Sequence, residues 1–127
     1  MHGLHIVAEL HECTCEHSLL LDTLKVKALC LSACKTAGLT PLATAFHGFG
    51  SPDAPAGATG AIVLAESHLA VHTWPELLAV TLDLYVCNFS RDNRDRAESC
   101  FGDLVTAFGP GRIERRDLHR GNLSPAD

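Results

Sequence analysis

The chain contains no apolar run of about 18 residues, the length a membrane-spanning helix needs, so no span is expected. It has no excess of positive charge: ten Lys and Arg against fifteen Asp and Glu leave a net charge of −5. That balance argues against an extended phosphate-binding surface, and so against nucleic acid as a partner. The opening Met1-His2-Gly3-Leu4-His5 lacks the charged region and apolar core of a secretory signal. A cytoplasmic protein with reduced thiols is the expectation. No Gly-x-Ser-x-Gly elbow occurs, which removes the commonest signature of a serine hydrolase.

Zinc spacing is missing too. Cys13-Thr14-Cys15-Glu16-His17 has one residue between its cysteines and no second pair downstream, and Cys30 and Cys34 have no partnering histidines. Structural zinc sites space their paired cysteines differently, so no metal is expected. Packed, inert thiols are the reading for every cysteine except Cys87. Arg112, Arg115, Arg116 and Arg120 cluster late in the chain, but Glu114 and Asp117 interrupt them, as in a solvated surface of mixed charge.

The 127 residues, 46% apolar and 20% charged, suit a single globular domain over residues 1–127. Residues 4–10 alternate as a strand, with Leu4, Ile6, Ala8 and Leu10 on one face. Residues 18–37 read as one helix with the stripe Leu20, Leu24, Ala28 and Leu31, stopped by Gly38. Residues 42–49 read as a strand, 51–60 as a Pro- and Gly-rich loop, and 61–65 as a short buried strand. Residues 68–74 alternate until Pro75, and 80–87 resume as a strand. Ala97, Phe101, Leu104, Val105 and Phe108 mark a second helix, capped by Asp92 or Asn93 and stopped by Gly109 and Pro110. A short strand over 112–118 and a loose tail over 121–127 complete the chain. The order gives an α+β fold: a two-layer sandwich whose antiparallel sheet carries two helices on one face. The other face mixes polar and apolar residues, and a second copy of the chain would cover it.

The segment richest in chemistry runs from Ala65 through Glu66-Ser67-His68 and His72-Thr73-Trp74-Pro75-Glu76, with Cys87 further on. A hydroxyl, imidazoles and a thiol lie within one small region. A turn centred on Leu77 would set Cys87 opposite Ser67 and His72 opposite Leu82. Taken singly, each of these residues is more often structural than catalytic.

Glu66-Ser67-His68-Leu69-Ala70-Val71-His72-Thr73-Trp74-Pro75-Glu76, followed by Asp83 and Cys87, strongly resembles the small bacterial and archaeal S-adenosylmethionine decarboxylases, which depend on a pyruvoyl group. Leu4-His5-Ile6-Val7-Ala8-Glu9 with Cys13, and Phe46-His47 with Phe49, resemble that family's first two strands. The resemblance implies self-cleavage into residues 1–66 and 67–127. Ser67 Oγ would attack the Glu66 carbonyl, and elimination would leave Ser67 as an N-terminal pyruvoyl group, the cofactor. That carbonyl would capture the substrate amine as a Schiff base. The resemblance gives His72 the base role in elimination, Thr59 the processing hydroxyl, and Cys87 the proton donor to the product carbon. Phe49, Trp74 and Glu76 match substrate-pocket positions. A homodimer or higher homo-oligomer is implied, acting on a small-molecule amino-acid substrate in polyamine (spermidine) biosynthesis.

One departure bears on the substrate. Leu77-Leu78-Ala79-Val80 replaces a Gly-Tyr-Ala-Ala type of segment. S-adenosylmethionine is the first expectation. L-ornithine or L-arginine, whose distal cation Glu76 or Asp83 would face, is the alternative. An uncut relative that only binds a ligand is the third.

Overall fold

The computed structural model describes residues 2–125. Strand β1 (Gly3–His11) is followed by helices α1 (His17–Leu21) and α2 (Thr23–Thr36), then by β2 (Pro41–Ser51), β3 (Ala54–Leu64) and β4 (Ser67–Trp74). A single 3-10 turn, Pro75–Leu77, leads into β5 (Ala79–Cys87), α3 (Arg94–Phe108) and β6 (Arg112–Arg120). The strands form one antiparallel sheet in the order β2-β3-β4-β5-β1-β6. The helices cover one face of it. The expected α+β two-layer sandwich is what forms, with three helices in place of two. No helix among the described residues is long and apolar enough to cross a membrane.

Period-two alternation builds the core. Ile6, Ala8 and Leu10 of β1, Ile62 and Leu64 of β3, Leu69 and Val71 of β4, and Val80, Leu82, Leu84 and Val86 of β5 are all buried on the helix side. They meet Val26, Cys30, Ala33 and Cys34 of α2 and Ala97, Cys100, Phe101, Leu104 and Phe108 of α3. The face of α3 is the one its sequence spells out, and Gly109 ends it in the left-handed region at φ 60°.

Helix α2 departs from its sequence pattern. Asp22 splits the expected single helix: its main chain is extended, and its carboxylate accepts the Leu24 N–H at 2.9 Å and so caps α2. The buried face is then Val26, Cys30, Ala33 and Cys34, whereas Leu24 is 75% exposed. The leucine stripe assumed one unbroken helix; with the break at Asp22, the thiols of Cys30 and Cys34, expected to pack, take the core face instead. These thiols are small hydrophobes here. Burial pushes Cys30 up to about 12 and Cys13 to about 11.

The expected loop over residues 51–60 is mostly strand. β2 and β3 form a hairpin whose tight turn lies between Ser51 and Ala54, with Gly50 at φ 80°. Pro55 is tolerated because the pairing of β3 with β4 covers Thr59 to Leu64 only, so that stretch of β3 has one neighbour. The short strand expected over residues 112–118 forms as edge strand β6, which carries the late basic cluster. Arg115 pairs with Glu98 and Asp117 and lies 4.8 Å from the Phe101 ring centroid.

Replacing Leu104 with alanine should destabilise the fold by roughly 2–5 kcal/mol, because its side chain is fully buried. Leu24→Ala should cost less than about 0.5 kcal/mol. Urea unfolding of the two variants checks the assignment. Equal losses would show that the leucine stripe, not the cysteine face, packs on the sheet.

Candidate active site

The short turn after Trp74 decides where the site residues lie. Leu78 takes a left-handed conformation at φ 49°, its N–H bonds to Pro75 O at 3.2 Å, and its carbonyl accepts the Cys13 N–H at 2.9 Å. Trp74 therefore pairs with Ala79, and the ladder runs back through His72 and Thr81 to Ser67 and Val86. The sequence expectation of Ser67 opposite Cys87 and His72 opposite Leu82 is off by one residue. The turn centres between Glu76 and Leu77, and in an antiparallel hairpin that half-residue step changes every partner.

The consequences differ for each residue. Ser67 shares the buried helix side with Leu69, Val71 and Thr73. Cys87 follows Tyr85, Asp83 and Thr81 on the open face. The two remain diagonal neighbours across the ladder, joined by a main-chain bond from Cys87 N–H to Glu66 O at 3.1 Å.

The Glu66–Ser67 junction carries three unusual features. Glu66 sits at φ 65°, a left-handed conformation that costs a residue with a Cβ about 1–2 kcal/mol. Its carbonyl is polarised by the Cys87 N–H. The Ser67 hydroxyl is buried, and its Oγ has no hydrogen-bond partner among the described residues. A desolvated hydroxyl without a partner costs about 1–3 kcal/mol. The Glu66 carboxylate is pinned from outside by Ser90, whose Oγ and N–H donate to Oε2 at 3.1 and 3.4 Å. A strained peptide, a polarised carbonyl and an idle hydroxyl one residue on are what an intramolecular acyl shift requires.

A second group lies elsewhere. Thr59 of β3 pairs with His72 of β4, and their side chains share a hydrogen bond, Oγ1 to Nδ1, at 2.5 Å. They line a cavity of about 280 Å³ together with Phe49, Trp74 and Glu76. Phe49 also stacks edge-on with His47, their ring centroids 5.0 Å apart. Every substrate-pocket position expected from the sequence is thus in one place. The Ser67 end is not: it lies five residues back along β4, about 16 Å away at the rise of a strand. Within one chain, the fold brings Ser67 near Cys87 and Thr59 to His72, but it does not bring the two pairs together.

On the same open face as Cys87 lie His5, His68 and Tyr85, to which the sequence reading gave no role, together with Asp83. His5 Nε2 bonds to Asp83 Oδ1 at 2.6 Å, and His68 Nε2 is 3.4 Å from the same oxygen. Tyr85 stands edge-on to His5 and tilted against His68, at 5.9 and 5.5 Å between centroids. The signal was available: His68 and Tyr85 are on the outward phase of β4 and β5, and His5 on that of β1. The three ligand atoms of His5, His68 and Asp83 lie within 4.8 Å of one another. As they stand, the His5–Asp83 contact is a hydrogen bond, shorter than the ~3.3 Å between ligands of a tetrahedral zinc. Behind Cys87, buried Asn93 donates Nδ2 to the Cys87 carbonyl at 2.8 Å, and its own N–H is bound by Asn88 Oδ1 at 2.9 Å. Asn93 occupies the N-cap position of α3, but its side chain makes no capping bond and instead fixes the end of β5. Asp92 takes the capping role, through the Arg94 N–H at 3.0 Å.

Comparison with known proteins gives concordant matches. A family model described as S-adenosylmethionine decarboxylase matches residues 4–121. A protein of Picrophilus torridus named S-adenosylmethionine decarboxylase proenzyme is 34% identical over 125 residues, covering 98% of this chain and 88% of that protein. One of the same name from a Sulfurihydrogenibium species is 36% identical, covering 94% and 82%. The crystal structure of the adenosylmethionine decarboxylase from Aquifex aeolicus superposes with a TM-score of 0.83 at 30% identity, over 98% of this chain and 95% of that one.

The left-handed turn at Glu66 is testable in a Ser67→Ala background. Adding Glu66→Gly should leave the chain about 1 kcal/mol more stable than adding Glu66→Ala, because glycine alone takes positive φ without a Cβ clash. Urea midpoints report the difference, and equal stability would remove the strain from the account.

Proposed function

This chain belongs to the S-adenosylmethionine decarboxylase family, and on that footing we propose that it is a self-processing enzyme that removes the carboxylate of S-adenosylmethionine, supplying aminopropyl groups for spermidine. The observation that carries the processing half is the Glu66–Ser67 junction, with its left-handed Glu66 and unpartnered buried hydroxyl.

Processing follows from residues of the chain itself. Ser67 Oγ adds to the Glu66 carbonyl carbon, whose oxygen is already held by the Cys87 N–H. The peptide C–N bond breaks as the ester forms, relieving the strain at Glu66. A base removes the Ser67 Cα proton and the Cβ–Oγ bond breaks, so Glu66 leaves as a carboxylate that keeps the oxygen. Water then displaces ammonia from the Ser67 residue, which becomes the N-terminal pyruvoyl group of chain 67–127. The residues present fit such a group: freed from Glu66, the new end lies beside Cys87. A pyruvoyl carbonyl supplies an electron sink for loss of CO2 from an α-amino acid.

The remaining roles belong to side chains. Cys87, on the open face, returns a proton to the product carbon. His72, with Nδ1 engaged by Thr59, is the base for elimination, because a neutral imidazole suits proton removal near neutral pH. The Thr59 hydroxyl steadies the developing oxyanion. Phe49 offers a flat apolar platform for adenine, Trp74 a second aromatic wall, and Glu76 a polar edge. An adenine platform beside a carboxylate favours the adenosyl substrate over ornithine or arginine, which need the carboxylate alone.

His72 reaches Ser67 only if a second chain supplies it, since about 16 Å separates the two along one strand. Cys87 and the Thr59–His72 pair border the open face, where Phe49 is 48%, Val63 51% and Trp74 43% exposed. A homodimer packed across that face sets His72 of the partner subunit beside Ser67 and Cys87. Among the described residues no disulfide joins any of the six cysteines, which suits a reducing compartment.

Intact-mass measurement of purified protein should find chains 1–66 and 67–127 without added protease, and a single whole chain for Ser67→Ala. His72→Ala should slow cutting at least tenfold. Cys87→Ala should still cut but lose most turnover. Equal effects of the two on cutting would show the roles to be misassigned. Release of CO2 compared side by side should favour S-adenosylmethionine over L-ornithine and L-arginine by orders of magnitude. Preference for either basic amino acid would overturn the substrate and point to the segment from Leu77 to Thr81.

A further inference from the structure

Self-cleavage creates a charge as well as a new chain end. The Glu66 carbonyl carbon leaves as a carboxylate, with one oxygen its own and one taken from Ser67 Oγ. Chain 1–66 then finishes in two carboxylates on a single residue. The side-chain carboxylate is already held, since Ser90 Oγ and N–H donate to its Oε2 at 3.1 and 3.4 Å. The main-chain one keeps the Cys87 N–H on its former carbonyl oxygen. Its second oxygen needs a donor. It also arises beside the pyruvoyl group, where the substrate brings a carboxylate of its own, and like charges at short range oppose each other.

The cavity next to this junction holds the complementary charge. It has a volume of about 180 Å³, and Thr40, Ala65, Glu66, Ser90, Arg91 and Asn93 are in its wall. The wall is tied together by the Ala65 N–H on Thr40 O at 3.0 Å and by Arg91 Nη2 on Gly38 O at 3.3 Å. Arg91 Nε donates to Asn93 Oδ1 at 3.3 Å, and Arg96 Nη1 reaches the same oxygen at 3.5 Å. Two guanidinium groups thus converge on one neutral amide oxygen. Neither forms an ion pair among the described residues, whereas Arg94, Arg112, Arg115 and Arg116 all do. The neighbouring Asp92 carboxylate is taken by Arg94 at 2.6 Å. Of the five N–H groups a guanidinium presents, Arg91 uses two among the described residues, both on neutral acceptors. The site is short of one anion, and Glu66 is where one appears.

We propose that Arg91 receives the new α-carboxylate of Glu66: processing places the chain end it creates in the cavity beside Ser90, and so draws that charge away from the pyruvoyl group. This rests on the reading of Glu66–Ser67 as the cleavage site. The occupant is the chain's own end, because Glu66 already lines the cavity and a tethered anion outcompetes a diffusing one. Arg91 is exposed, so the pair should change the exposure of the new end by roughly three- to fivefold.

Treating processed protein with a carboxypeptidase of broad specificity, and following the mass of chain 1–66, reads the exposure of that end. Rates are taken relative to a free peptide of residues 59–66. Arg91→Gln should lose Glu66 roughly threefold faster than the wild type, with Arg91→Lys in between. Raising salt from about 0.05 to about 0.5 M should speed trimming of the wild type and leave Arg91→Gln unchanged, because salt screens only the charge pair. A purely structural role for Arg91 predicts faster trimming with no such difference in salt response. In the Ser67→Ala chain no α-carboxylate forms, so Arg91→Gln should lower the urea midpoint of the processed protein and not of that chain. Equal trimming of Arg91→Gln and wild type, or equal salt responses, would overturn the inference while leaving the proposed function standing. A wild-type chain that is never cut would sink both, and is told apart by its single mass. Should Arg91→Gln fail to fold, the salt response of the wild type decides alone, and a flat response overturns the inference.

Discussion

The pairing of β4 with β5 through the Pro75–Leu78 turn is the constraint on which the site depends. Leu78 bends left-handed, bonds back to Pro75, and is held from outside by the Cys13 N–H. With that turn fixed, each position on β4 has one partner on β5 and one face. Ser67 goes inward with Leu69 and Val71. His68 and His72 go outward, as do Asp83, Tyr85 and Cys87 of β5. A one-residue slip would exchange core for solvent along the whole of either strand, and the buried row from Val80 to Val86 forbids it.

The junction before Ser67 is where the fold departs from comfort. Backbone strain and an unpartnered hydroxyl coincide at one peptide bond, while the chain on either side is fully paired. Surrounding structure has to over-determine such a state. It does so through the Cys87 N–H on the Glu66 carbonyl, Ser90 on the Glu66 carboxylate, and Asn93 on the Cys87 carbonyl. The strain is thus directed at one bond, and breaking that bond removes it.

The two faces of the sheet divide the work. The helix face is apolar and closed, and it stabilises the fold. The open face collects imidazoles, a carboxylate, a phenol and a thiol beside exposed aromatics. One such face, left to water, serves neither stability nor catalysis. A second copy laid across it would exclude water from the polar groups, strengthening each of their interactions. It would also join two half-sites that one strand keeps apart.

Much of this protein is legible in its sequence. Alternation in β1 and β5, the face of α3 with its Gly109 stop, and the run from Glu66 to Glu76 lead to the fold class and the family, because they follow from local geometry and from residue types that chemistry restricts. The sequence also names Ser67, His72 and Cys87. Where they meet is another matter. The break at Asp22 depends on a carboxylate choosing a main-chain N–H, and the strand through Pro55 depends on having one neighbour rather than two. The register of β4 on β5 depends on half a residue of turn. The cluster of His5, His68 and Arg120 around Tyr85 is assembled from β1, β4, β5 and β6, distant in the chain and adjacent only once these strands have paired. Side-chain type and period are local quantities. Register and enclosure are set by packing between elements, and tertiary structure alone decides them.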